Sequence, residues 1–186
     1  MEKERIKEVW EVIPCPNKKR TYLQKRSGRG ADSMQKAGVT VMDKTYVACM
    51  KCHAVNRVPL ARTNQNPNCG QCKSPLPIHG ALIEQDPQGL QALIQAADRP
   101  VVVDFWASWC GPCLSFAPTY ERVANQQKEH FIFAKVDTEK YPQASNTYGV
   151  LGIPTLVLFD KGQEKQRISG ALPMPHFIQW LGQAAV

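Results

Sequence analysis

Six of the seven cysteines in this 186-residue chain fall into three C-x-x-C pairs, CMKC at Cys49 and Cys52, CGQC at Cys69 and Cys72, and CGPC at Cys110 and Cys113. Two thiols so spaced can close a disulfide, share a metal ion or, when a histidine follows, anchor a haem. The first pair continues into His53, so CMKCH read alone fits covalent haem attachment. Haem attachment would leave the second pair unexplained and would require export, for which the N-terminal residues MEKERIKEVWEV carry no apolar signal core. Read together, Cys49-x2-Cys52-x16-Cys69-x2-Cys72 has the spacing of a zinc site, in which about 15–20 residues separate the two pairs. Four thiolates close a tetrahedral shell and leave no open position, so the expected role is structural: one zinc ion per chain on Cys49, Cys52, Cys69 and Cys72. A second redox pair, iron in place of zinc, and haem are the alternatives. His53 is expected to be a polar residue beside the metal, and His79, His130 and His176 have no partner pattern.

The third pair sits differently. WCGPC follows the apolar run VVVDFWA and opens a helical segment, and C-x-x-C in that strand-to-helix setting reads as a dithiol redox site. A helix N-terminus presents N–H groups and the positive end of the helix dipole, both of which favour a thiolate on Cys110. Cys113, one turn further on, can attack a mixed disulfide formed at Cys110 and release the reduced partner. Pro112 suits the first turn, where a missing N–H does no harm. Asp104 is the one charge in the preceding apolar strand, and a buried carboxylate needs a partner or a raised pKa. Lys135, in FAKVD, is the candidate partner, and Asp104 the candidate base for Cys113.

These residues must be positioned by an ordered series of elements. ALI at 81–83 opens a first strand, and GLQALIQAA at 89–97 reads as a helix after the capping Asp86 and Pro87. VVVDFWA from Val101 is a buried strand, followed by a helix from Cys110 to about Glu129 that Pro118 is expected to kink. FIFAKVD at 131–137 is a strand, and PQASNTYG a short helix ending at Gly149. TLVLFDKGQEKQRISG gives two strands joined by a turn at Lys161 and Gly162, and PHFIQWLGQAA a closing amphipathic helix. Strand–helix alternation with a terminal hairpin makes an α/β fold, a mixed sheet with helices on its faces.

The stretches VVVDFWASWCGPC, FAKVDTEKYP, YGVLGIPTLVLFDKG and SGA, in that order, resemble thioredoxin over residues 80–186, and the ribbon in front extends the resemblance to the zinc-ribbon-containing thioredoxin 2 subclass of bacteria. The resemblance implies the thioredoxin fold preceded by a small zinc ribbon, with protein-disulfide reductase activity. It implies Cys110 as nucleophile, Cys113 as resolving thiol, and Asp104 with Lys135 as the buried pair behind them. It also implies a cis bond before Pro154 and a docking surface of Trp109, Gly111, Pro112, Ile153, Gly170 and Ala171, with the Ile153 backbone pairing to an extended substrate. Zinc on the four ribbon cysteines, electrons from an NADPH-dependent thioredoxin reductase, cytoplasmic residence and a part in oxidative-stress defence follow from the same source. Leu114 departs from the family, in which a basic residue is common after the second cysteine.

The expected organisation is a basic extension at 1–44, a zinc ribbon at 45–77 and a thioredoxin domain at 80–186. Of the net charge of +7, residues 1–44 carry +5, with 11 Lys and Arg against 6 Asp and Glu. That segment is expected to be mostly disordered, and to be a leader foreign to the natural protein or a stretch upstream of a start at Met42, with a nucleic-acid-binding tail as the functional alternative. The remaining +2 is a weak footprint for nucleic acid. No run approaches the roughly 18 apolar residues of a membrane helix. No bound organic cofactor, no membrane contact and a monomer are expected. The competing function classes are a zinc-ribbon binding module and a redox-regulated chaperone, in either of which the second domain senses oxidation.

Overall fold

The computed structural model describes residues 12–13 and 43–183. The expectation for the basic extension falls almost wholly outside the described residues. Of that stretch, β1 (Val12–Ile13) lies antiparallel beside β3 (Val55–Pro59), with Val12 opposite Asn56. β3 in turn pairs along its length with β2 (Lys44–Ala48).

The larger sheet has six strands in the order β4-β5-β7-β6-β8-β9: β4 (Ile78–His79), β5 (Leu82–Glu84), β6 (Val101–Trp106), β7 (Ile132–Asp137), β8 (Thr155–Asp160) and β9 (Gln163–Ser169). β5, β7 and β6 run parallel; β4, β8 and β9 are antiparallel to their neighbours. The mixed sheet read from the sequence is thus present, with β4 as an edge strand that two residues of pattern could not reveal. The β8–β9 turn places Lys161 at φ 51° and Gly162 at φ 81°, the positive pair that a tight two-residue hairpin turn requires.

Helices cover both faces. α1 (Pro87–Ala96) begins two residues earlier than the apolar pattern suggests, because Asp86 accepts a hydrogen bond from Gly89 N at 2.6 Å and Pro87 takes the first helical position. α2 (Gly111–Gln127) continues through Pro118, which removes one internal hydrogen bond without ending the helix. α3 (Pro142–Thr147) is followed by Gly149 at φ 61°, and α4 (Met174–Gln183) closes the described chain.

The two-residue period of β6 divides the core. Val101, Val103 and Phe105 join a cluster with Leu90, Leu93 and Ile94 of α1 and Ala144 of α3. Val102 faces the other way, into a cluster with Phe116, Tyr120 and Val123 of α2 and Phe177 and Leu181 of α4. By the same alternation Asp104 points toward the α2 side, the side of the helix that carries Cys113. The first cluster also contains Tyr46, Val47, Val55 and Val58 from β2 and β3, so the small sheet and the large one share a core.

Candidate functional site

β6 delivers the chain to a turn ending at Cys110, which caps α2. Cys110 and Cys113 are joined by a disulfide, Cα to Cα 5.2 Å. Cys110 Sγ accepts the N–H of Cys113 at 3.2 Å, the orientation that would stabilise a thiolate there once the bond is reduced. Both cysteines are buried, whereas Trp109, Gly111 and Pro112 are exposed. The Ile153 carbonyl lies 3.7 Å from Cys110 Sγ, and the Ile153–Pro154 bond is cis. That loop is fixed by Thr155, whose hydroxyl meets Gly152 O at 2.6 Å and Ser169 Oγ at 3.0 Å, and by Gly170 N donating to Pro154 O at 2.8 Å. Cys110 and Cys113, Ile153 and Pro154, and Gly170 are therefore gathered from three separate stretches, with Gly170 tied directly to Pro154 and half-exposed beside the exposed Ala171.

Asp104 and Lys135 are cross-strand neighbours in β6 and β7, and Lys135 Nζ lies 2.9 Å from Asp104 Oδ2. Both are buried, and Oδ1 of Asp104 has no hydrogen-bond partner. Burial pushes the Asp104 pKa up, and the Lys135 ammonium acts against that rise. The ammonium also sits over two aromatic faces, 4.7 Å from the Trp106 centroid and 5.5 Å from that of Tyr120. Tyr120 shares its hydroxyl between Val102 O at 2.9 Å and Ala134 O at 2.8 Å, which pins α2 to both strands carrying the ion pair.

Sequence reasoning missed Glu84. It is opposite Lys135 on the far side, in β5, half-buried, and its pKa is raised by burial with Lys135 opposing. Only the strand register reveals it, since nothing near Glu84 in the chain resembles a site.

The other four cysteines also converge. Cys49 N donates to Ala54 O at 3.0 Å and His53 N to Cys49 O at 2.7 Å; Cys69 N donates to Ser74 O at 2.8 Å and Lys73 N to Cys69 O at 3.0 Å. The two knuckles are thus built alike, and each needs a positive φ at the residue after its second cysteine, 55° at His53 and 61° at Lys73. The four Sγ atoms lie within 4.8 Å of one another, with Cys49 to Cys72 at 3.5 Å and Cys52 to Cys69 at 3.7 Å. A tetrahedral zinc with bonds of about 2.3 Å needs sulfurs about 3.8 Å apart, so the arrangement fits that ion. Asn56 Nδ2 approaches Cys69 Sγ at 3.6 Å while its Oδ1 accepts Gly70 N at 2.8 Å, orienting one ligand from outside the shell. Burial raises the Cys49 pKa and pushes Cys52 up to about 12, whereas hydrogen bonds from Ser74 bring Cys72 down to about 6. A divalent cation is the kind of partner that would hold all four as thiolates.

His53 is not part of the four-sulfur cluster. Its Nε2 lies 3.2 Å from Asp86 Oδ2, so it joins the first knuckle to the residue that caps α1. The sequence left it as a bystander; its partner lies 33 residues away and could not be inferred from spacing. Three more contacts seat the small sheet. Gln85 Nε2 donates to Ala48 O at 3.0 Å, Tyr46 OH to Asp98 Oδ2 at 3.0 Å, and Arg99 Nη2 to Lys44 O at 2.6 Å.

Comparison with known proteins matches residues 81–183 to the family described as Thioredoxin and residues 48–74 to the one described as Thioredoxin 2, N-terminal. Thioredoxin C-3 of Corynebacterium nephridii is 45% identical over 138 residues, covering 74% of this chain and 93% of that protein. Thioredoxin Y2, chloroplastic, of Arabidopsis thaliana is 38% identical over 57% of this chain and 63% of its own length. A bifunctional thioredoxin reductase/thioredoxin of Mycobacterium leprae is 40% identical over half of this chain, which corresponds to 20% of that protein.

Proposed function

Because the chain belongs to the thioredoxin family, in the branch that carries an N-terminal zinc ribbon, we propose that it reduces disulfide bonds of other proteins by cycling the CGPC dithiol of Cys110 and Cys113. The observation that carries this reading is the placement of Cys110 as the cap of α2, bonded to Cys113 one turn away. In the reduced protein the Cys110 thiolate attacks one sulfur of the substrate disulfide, forming a mixed disulfide and expelling the other substrate sulfur as a thiolate. Cys113 then loses its proton and attacks Cys110 Sγ. This releases the second substrate thiol and restores the Cys110–Cys113 disulfide, so that two electrons pass to the substrate.

Asp104 is the proposed base for Cys113. Its alternation toward the α2 side, its raised pKa and its unpaired Oδ1 support that role. Lys135 tunes it by holding Oδ2. Pro154 borders the dithiol, and Trp109, Gly111, Pro112, Ile153, Gly170 and Ala171 form the docking surface, on which the Ile153 backbone pairs with an extended substrate segment.

The four ribbon cysteines hold one zinc ion, which supplies structure and takes no part in electron transfer. The electrons come from an NADPH-dependent thioredoxin reductase, a pairing supported by the relative whose name joins the two activities in one protein. We place the protein in the cytoplasm, in defence against oxidative stress. No helix among the described residues is long and apolar enough to cross a membrane. The test is insulin-disulfide reduction driven by NADPH and thioredoxin reductase. Cys110→Ser is expected to abolish it, and undiminished activity in that variant would refute the mechanism.

A further inference from the structure

Three of the four large apolar side chains that are exposed among the described residues bracket the dithiol. Trp109, 70% exposed, precedes Cys110, and Leu114, 51% exposed, follows Cys113. Leu151 is fully exposed and lies two residues before Ile153, whose carbonyl is 3.7 Å from Cys110 Sγ. Exposed apolar side chains gathered at one place mark a surface that another molecule covers.

The same stretches lack charge. Residues 105–120, 141–159 and 168–183, which carry the whole rim, contain no Asp, Glu, Lys or Arg, although the chain has a net charge of +7. Among the described residues, charged groups reach these stretches from flanking ones: Glu139 Oε2 accepts a hydrogen bond from Ser108 Oγ at 2.5 Å, the buried Lys135 lies over Trp106 and Tyr120, and Arg167, held by Glu164, donates to Tyr148 O and Gly149 O at 2.9 Å each. A charged side chain brought against Leu114 or Leu151 would lose water, and Arg167, the cation that contacts the chain just before Leu151, is already paired with Glu164, whereas an apolar side chain would gain from burial.

We propose that Leu114 and Leu151 are specificity-determining residues, which select extended partner segments bearing uncharged, apolar side chains on both sides of the cysteine under attack. The proposal rests on the dithiol reading above and adds to it the chemistry of the preferred substrate. Leu114 contributes from the first turn of α2 and Leu151 from the loop before Pro154, so the partner cysteine is flanked from both sides of Cys110. The selectivity comes from burial and not from long-range attraction, so it is the same at low and high salt.

The test uses the full chain, reduced with dithiothreitol and desalted, in single-turnover reaction with three disulfide peptides that differ only in carrying Leu, Lys or Glu beside each cysteine. Each turnover oxidises one Cys110–Cys113 dithiol and converts one peptide disulfide to two thiols. The Leu peptide is expected to react about tenfold faster than the Glu peptide, the share expected from burying part of one leucine. In Leu114→Lys and in Leu151→Lys the ratio should fall to about one or below, while Ile178→Lys, on α4 beside Gln127 at the C-terminal end of α2, keeps the wild-type ratio. Because each value is a ratio within one protein, changes in Cys110 reactivity cancel. Equal rates for the three peptides, or an unchanged ratio in both leucine variants, would overturn the proposal. Hydroxyethyl disulfide, which has no flanking residues, separates the two levels. If it is not reduced, the dithiol reading fails and takes this proposal with it; if it is reduced while the peptides react alike, only the specificity proposal fails.

Discussion

Lys135 Nζ lies 2.9 Å from Asp104 Oδ2 across adjacent parallel strands, and the second oxygen of that carboxylate is buried with no partner. The pair is therefore half-satisfied, stable enough to be kept and reactive enough to accept a proton. Burial dominates, so the folded protein holds the Asp104 proton more tightly than the unfolded chain does.

The sign of the resulting pH dependence follows from linkage. A carboxyl group whose folded pKa is raised gives its full contribution to stability below the ordinary carboxylate range and loses it as pH rises through the folded value. Asp104→Asn, which cannot ionise, is expected to be more stable than wild type at neutral pH, with the gain vanishing near pH 3–4, about the ordinary carboxylate pKa. Urea denaturation at both pH values measures it. The same variant should reduce insulin at least about tenfold more slowly if Asp104 is the base for Cys113.

Lys135→Met acts in the opposite direction on stability. It leaves the Asp104 carboxylate buried without its cation, a change that typically costs about 3–5 kcal/mol. It should also move the pH profile of disulfide reduction upward, because the group that opposes the rise in the Asp104 pKa is gone. A profile that stays in place would separate Lys135 from the chemistry.

Metal content gives a third prediction. Cys49→Ser and Cys72→Ser, tested separately, should each lower bound zinc from about one ion per chain to near zero, since a four-sulfur shell loses its closure with any one ligand. Full retention in either variant would exclude that shell. Chelation of the wild type should lower the melting temperature, because the knuckles and the first core cluster share Cys49 and Cys69.

Asp86 offers a fourth. Its Oδ1 caps α1 through Gly89 N, and its Oδ2 holds His53. Asp86→Ala should cost about 1 kcal/mol through the cap alone. His53→Ala should cost less, and the double variant less than the sum of the two, because both remove the same contact. Additive losses in denaturant titration would mean the contact contributes nothing.

What could be read from the sequence was whatever is local. The C-x-x-C spacings, the capping Asp86, the lone charge at Asp104 and the Lys161–Gly162 turn each sit within a few residues of the structure they specify, and each forms as expected. What stayed hidden depends on pairing between distant segments. Glu84 acquires its relation to Lys135 only through the β5–β7 register, and His53 meets Asp86 only because the small sheet docks on α1. β4 is two residues long and exists because β5 offers it an edge. The apolar rim was half visible: Leu114 stood out by its type, whereas Leu151 needed its exposure to be known.

The cluster that joins Val47, Val55 and Val58 to Leu90, Leu93 and Ile94 makes the two sheets partners in a single cooperative unit. A chain cut back to begin at Ile78 would keep every residue of the dithiol site. It would also turn part of the interior into surface, leaving Asp98 and Arg99 without Tyr46 and Lys44. Such a fragment would keep the chemistry and lose shelf life, aggregating through the face that the ribbon had covered.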